Sequence, residues 1–125
     1  MVSRACSKEE SRRRMYQEAK QGAVVVVSND EPLDRAHIED ARAVFERCGG
    51  VAAPMAVFDL SAVPFMDSAG LEFLLETHEQ YQQHGGELKL AAPNSICLDA
   101  LRVTGVAGKL EIHEQTGTAV RSFLR

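Results

Sequence analysis

The chain has 125 residues, 45% of them hydrophobic and 26% charged, and a formal net charge of −4 from 18 acidic and 14 basic side chains. That length predicts one domain around one core, and the balance is that of a soluble globular protein rather than a disordered or fibrous one. The acidic excess argues against a nucleic-acid backbone as main partner, because phosphate binding needs a concentrated basic face; the one basic cluster, Arg12-Arg13-Arg14, stands beside Glu9 and Glu10 and reads as a solvated face.

Residues 1–21 are polar, mixed in charge and free of turn residues. They read as an N-terminal extension, either a helix with Met15 and Ala19 on one face or a stretch without regular structure, ahead of a domain spanning 22–125. Ala23 to Val27 carries the run Val24-Val25-Val26-Val27, the composition of a buried strand, and Ser28-Asn29-Asp30-Glu31-Pro32 is turn chemistry that ends it. Asp34 is placed to be a helix N-cap, with Ile38, Ala41, Val44 and Phe45 at helical spacing until Gly49-Gly50.

Met55 to Leu60 reads as a second buried strand, and Ser61 to Met66 as a short connection into Asp67-Ser68-Ala69-Gly70. Leu71, Leu74, Leu75, His78 and Tyr81 then share a helical face that Gly85-Gly86 closes. Glu87 to Ala91 alternates like a strand, and Pro93-Asn94-Ser95 opens a helix through Ile96, Leu98, Leu101 and Val103, with Gly105 as its stop. Leu110 to His113 reads as a short last strand and Thr116 to Leu124 as a short last helix. Strands and helices therefore alternate, which predicts one α/β domain with a mostly parallel sheet of four to five strands and about four helices.

Cys6, Cys48 and Cys97 are three separated cysteines without a CxxC pair, an argument for a reducing compartment and against a disulfide framework or structural zinc. The N-terminus lacks the apolar segment of a signal peptide, and no stretch approaches the roughly 18 apolar residues of a membrane span. A cytoplasmic protein with no direct membrane insertion is expected. His37, His78, His84 and His113 fall on different elements without ligand-spaced partners, so no metal site is expected, and no phosphate-cradling motif points to a cofactor.

The residues that carry chemistry lie at the corner after the second strand. A serine there, followed by Gly70 and an amphipathic helix, is presented at a helix N-terminus. Phosphorylation would add about −1.5 to −2 charges, which free backbone N–H groups and the helix dipole accommodate. The plainer reading of Ser68 or Asp67 is a helix cap. A hydrolase nucleophile elbow is disfavoured, since Met66 stands where that turn needs glycine.

The thirteen residues Asp59-Leu60-Ser61-Ala62-Val63-Pro64-Phe65-Met66-Asp67-Ser68-Ala69-Gly70-Leu71 strongly resemble the signature of the STAS family, the anti-sigma factor antagonists and their relatives. Gly85-Gly86-Glu87-Leu88-Lys89-Leu90 and Leu101-Arg102-Val103-Thr104-Gly105-Val106 resemble two further family segments, in order and at the right spacing. The resemblance implies the SpoIIAA-like STAS fold and a bacterial phosphoprotein acting in transcription regulation rather than an enzyme. It implies Ser68 as the phosphorylated serine, with Asp67, Ala69, Gly70 and Leu71 beside it at the partner-binding corner. Ala69 stands where many members have serine.

Leu33-Asp34 is similar to a family segment whose aspartate lies near the phosphorylation site, but here the segment lacks its glycine and is longer. Asp34 is thus either a partner contact or a helix N-cap. The partners implied are an anti-sigma factor, a serine kinase of the histidine-kinase-like ATPase type, and a PP2C-type phosphatase. The same fold also resembles the STAS subunit of lipid-transport ABC complexes, members of stress-signalling assemblies, and nucleotide-binding STAS domains. An edge strand near the N-terminus would permit a homodimer.

Overall fold

A computed structural model describes residues 16–124 of the chain, so Cys6 and the arginine cluster lie outside the described residues. The elements follow in the order β1 (Tyr16–Gln21), β2 (Val24–Asn29), α1 (Ile38–Cys48), β3 (Met55–Asp59), α2 (Ser68–Gln83), β4 (Glu87–Ala91), α3 (Ser95–Val103), a 3-10 turn (Val106–Gly108), β5 (Ile112–His113) and α4 (Thr116–Phe123). They build one five-stranded sheet in the order β1-β2-β3-β4-β5. β2 through β5 are parallel, as helical crossovers require, and β1 alone runs antiparallel, against β2. The alternation read from the sequence is therefore correct, and the sheet is mostly parallel.

The stretch before residue 22 is the main difference. Tyr16–Gln21 is neither helical nor irregular but a strand, registered from Tyr16 opposite Asn29 to Gln21 opposite Val24. Gly22, at φ +68°, turns the chain in a two-residue hairpin where a side chain would be strained. Only Tyr16 of this strand is buried, while residues 17–21 are exposed on both sides. The period-2 signal of a half-buried strand is thus missing, and backbone pairing with β2 decides the conformation.

Successive strand residues feed two cores. Val27, Ala56, Phe58, Leu88 and Leu90 face α1 and α2, where Phe45 meets the Phe58 and Phe73 rings at 5.1 and 5.7 Å between centroids. Val24, Val26, Val57 and Ala91 face Ala119 and Val120 of α4. Coverage on both faces explains why β2 and β3 read as continuous apolar runs. Lys89 also points to the α4 side with only 4% of its surface exposed. Its ammonium is 2.6 Å from Ser122 Oγ, 3.2 Å from Glu111 and 4.3 Å from the Phe123 ring centre, so the charge is buried with partners.

Candidate functional site

The corner between β3 and α2 is held from three sides. As the chain leaves β3, Asp59 Oδ1 accepts from the Ser61 N–H at 2.9 Å, and the Leu60 N–H donates to the Ala91 carbonyl of β4 at 2.8 Å. Leu60, Val63 and Met66 turn inward and are buried, whereas Phe65 keeps 44% of its surface exposed.

The second anchor is Leu33, fully buried in the loop after β2. Its N–H donates to the Phe65 carbonyl at 3.0 Å, and its carbonyl accepts from the Asp67 N–H at 3.2 Å. Leu33 and Met66 thus form a one-residue parallel bridge that extends the sheet past the ends of β2 and β3.

Asn94 is the third. Its Oδ1 caps α3 by accepting from the Cys97 N–H at 2.8 Å. Its Nδ2 donates to the carbonyls of Val63 and Pro64 at 3.1 and 3.3 Å, so one side chain both starts a helix and clamps the corner.

Asp67 has extended backbone and is the N-cap of α2. Its Oδ1 accepts from the Gly70 N–H and its Oδ2 from the Arg35 N–H, both at 3.1 Å. With both oxygens engaged by backbone amides, Asp67 takes the capping role, and Ser68 is the first residue of the helix rather than its cap. Ser68 is exposed. Its N–H and that of Ala69 belong to the first turn, where the carbonyls four residues back, Pro64 and Phe65, lie outside the helix and accept from Asn94 and Leu33 instead, so the positive end of the helix opens beside the serine.

Gly70 is buried beneath this turn, and a Cβ built there would lie 2.1 Å from the Leu33 carbonyl oxygen. Leu71 is buried, at 8% exposure, and Ala69 half-buried. Of the residues that the sequence places at the corner, Ser68 therefore offers the surface, while Gly70 and Leu71 shape it from below.

Asp34 is brought to the same corner, because its neighbours Leu33 and Arg35 both bond to the 65–67 segment. It is not the helix N-cap expected from the sequence: α1 begins at Ile38 and its N-cap residue is His37, which makes no side-chain capping bond. Asp34 Oδ1 instead accepts from the His37 N–H at 3.2 Å and meets His37 Nδ1 at 2.6 Å, closing a turn one step ahead of the helix. The hydrogen bond to the His37 side chain holds the Asp34 carboxyl below its ordinary range. His37 Nε2 reaches Glu31 at 3.3 Å, so the imidazole stands between two carboxylates.

The contributions that sequence reasoning missed are those of Leu33, the Arg35 amide and the Asn94 side-chain amide. Two of them act through backbone atoms and leave no mark on residue type. Asn94 shows in the sequence as a helix start but not as a tertiary clamp. Among the described residues, no group of three or more His, Cys, Asp or Glu side chains is arranged to hold a metal ion. Nor, among them, is any helix long and apolar enough to cross a membrane.

The family model described as the STAS domain matches residues 15–119 of the chain. No protein of curated function matches at a significant level. Among solved structures, an anti-sigma factor antagonist from Mycobacterium paratuberculosis superposes with a TM-score of 0.78 at 22% identity, covering 86% of this chain and 91% of that one. The anti-sigma factor antagonist SpoIIAA in its unphosphorylated form gives a TM-score of 0.71 at 18% identity, covering 86% of this chain and 95% of its own. The STAS domain of a SulP transporter from Vibrio cholerae gives 0.69 at 18% identity, over 85% and 84%. At these identities the likeness is one of fold.

Proposed function

The chain belongs to the STAS domain family, and from that membership together with the geometry of the corner we propose that it is an anti-sigma factor antagonist switched by phosphorylation of Ser68. The observation that carries this reading is the exposed Ser68 hydroxyl at the first position of α2, with the capping role already filled by Asp67.

The kinase is a partner, an anti-sigma factor of the histidine-kinase-like ATPase type that transfers the terminal phosphoryl group of ATP to Ser68 Oγ. The hydroxyl proton leaves with that step, and ADP is the product. A PP2C-type phosphatase hydrolyses the phosphoserine and resets the switch. The protein itself contributes no catalytic group.

The fold tolerates the modification, because the new charge stands at the first turn of α2 and neither cap bond of Asp67 involves the Ser68 hydroxyl. The surface changes far more than the fold. Asp67 and Asp34 already lie nearby, so phosphorylation raises local negative charge against any acidic or apolar surface docked there. Unmodified protein sequesters the kinase, and modified protein releases it.

The test is a paired pull-down from the native cytosol with Ser68→Ala and Ser68→Asp as baits. A histidine-kinase-like ATPase enriched on the alanine bait and depleted on the aspartate bait is the expected result. The purified ATPase with ATP should then phosphorylate wild type and not Ser68→Ala. Equal recovery of an ABC-transporter component on both baits, or no phosphoryl transfer to Ser68, would overturn the reading.

A further inference from the structure

A cavity of about 820 Å³ lies away from the Ser68 corner, and none of residues 59–70 lines it. It runs along the open edge of the sheet beside β5 and is bounded by α2, α3 and the 3-10 turn. That volume lies within the range of small-molecule sites. Its origin is the brevity of β5, which pairs with Leu90 and Ala91 only and leaves the first half of β4 uncovered at that edge.

His78 fills the gap. It is 5% exposed, and its Nδ1 accepts from the Leu88 N–H at 3.4 Å, an amide for which β5 supplies no carbonyl. A ring nitrogen that accepts carries no proton, so the ring hydrogen of His78 sits on Nε2. Nε2 has no protein partner among the described residues, and His78 lines both this cavity and a shallower one of about 420 Å³ that continues it. Gln82 and Lys109 line the same two cavities.

Charge around the groove narrows the ligand. Lys109 and Arg102 line it and form no ion pair among the described residues. Glu111 is already held by Lys89 at 3.2 Å and His113 at 3.0 Å. Glu87 and Glu114 also line the groove and Glu79 the continuation, which disfavours a polyanion and leaves Lys109 and Arg102 as the groups able to pair with a single negative charge. Leu98, Leu110 and Ile112 supply an apolar wall.

We propose that this groove binds a small organic carboxylate, the carboxylate accepting from His78 Nε2–H and Lys109 while its apolar body lies on Leu98, Leu110 and Ile112. The site is independent of the phosphorylation switch and stands or falls separately from it.

The test is an NMR titration of the isotope-labelled full chain with octanoate, and in parallel with octanol and inorganic phosphate. Octanoate is expected to bind with a dissociation constant of about a millimolar, the range open to so small a ligand. It should shift the amides of Leu88, Leu110 and Ile112 and the Nε2 resonance of His78. Lys109→Ala, a surface change that leaves the core intact, should weaken it about tenfold through loss of a charge-assisted bond. No octanoate binding, or shifts confined to another surface, would overturn the proposal. Equal affinity for octanol would remove the carboxylate from it, and preferential binding of phosphate would remove the apolar body.

Discussion

The carbonyl oxygen of Leu33 occupies the space that a side chain at position 70 would need: a Cβ on Gly70 would approach it to 2.1 Å. The same oxygen accepts from the Asp67 N–H at 3.2 Å, so it cannot retreat without breaking the bridge that joins the two loops of the corner. The glycine of the Asp67–Leu71 motif is therefore required by backbone approach rather than by backbone conformation.

Gly70→Ala should accordingly destabilise the domain by about 2–4 kcal/mol, the scale of overpacking a tight contact together with loss of a buried hydrogen bond. Urea unfolding measures it. A loss below about 0.5 kcal/mol, the range of neutral surface changes, would mean that the two loops separate freely.

Asp67→Ala tests the capping assignment. The substitution removes the acceptor of the Gly70 and Arg35 amides, at a cost of about 1–2 kcal/mol. Its distinguishing sign is local: hydrogen exchange at the Arg35 amide, in a different loop, should accelerate along with that at Gly70. Unchanged exchange at Arg35 would sink the claim that the carboxylate bridges the loops. Ser68→Ala removes no cap and should leave unfolding within about 0.5 kcal/mol of wild type.

Much of the fold was legible because β2 and β3 are covered on both faces and announce themselves as apolar runs, and because α1 and α2 bury one stripe each. The corner was legible as a contiguous motif. β1 was not, since a strand with one buried residue in six carries no pattern of its own. The helix start at Asp34 was misplaced by a few residues because an aspartate that closes a turn and one that caps a helix satisfy the same kind of amide. The grip of Leu33 on the corner runs through its N–H and C=O, which every residue type except proline possesses.

Neither cysteine in the described part of the chain should react readily. Burial pushes the Cys48 thiol up to about 11, with Glu18 adding to the effect, and burial also raises that of Cys97, which donates to the Val63 carbonyl at 3.5 Å. The nucleophile is the thiolate, so at pH near neutrality both are overwhelmingly protonated. In a Cys6→Ser background, a disulfide reagent should label native protein slowly and denatured protein at the rate of a free thiol. Fast labelling of one site in native protein would contradict the burial assigned here.

Acid should weaken the attachment of α4 through Glu111. The hydrogen bond from His113, and after it that from Lys89, holds the Glu111 carboxyl below its ordinary value of 4.5. A carboxyl more acidic in the folded than in the unfolded chain contributes stability that is fully present above the unfolded value. That contribution is lost as pH falls through the folded one. The loss therefore begins near pH 4.5 and continues below it. Asp34, also shifted down, adds to the same decline from 3.8. Glu111→Gln keeps an acceptor for Lys89 but cannot titrate, so its unfolding midpoint in urea should lie below wild type at neutral pH and converge on it in acid. The amides of Ile112 and Ser122 should report the same convergence, because Lys89 ties Glu111 to Ser122 of α4. A constant gap between the two proteins across the acid range would show that the carboxylate charge contributes nothing there.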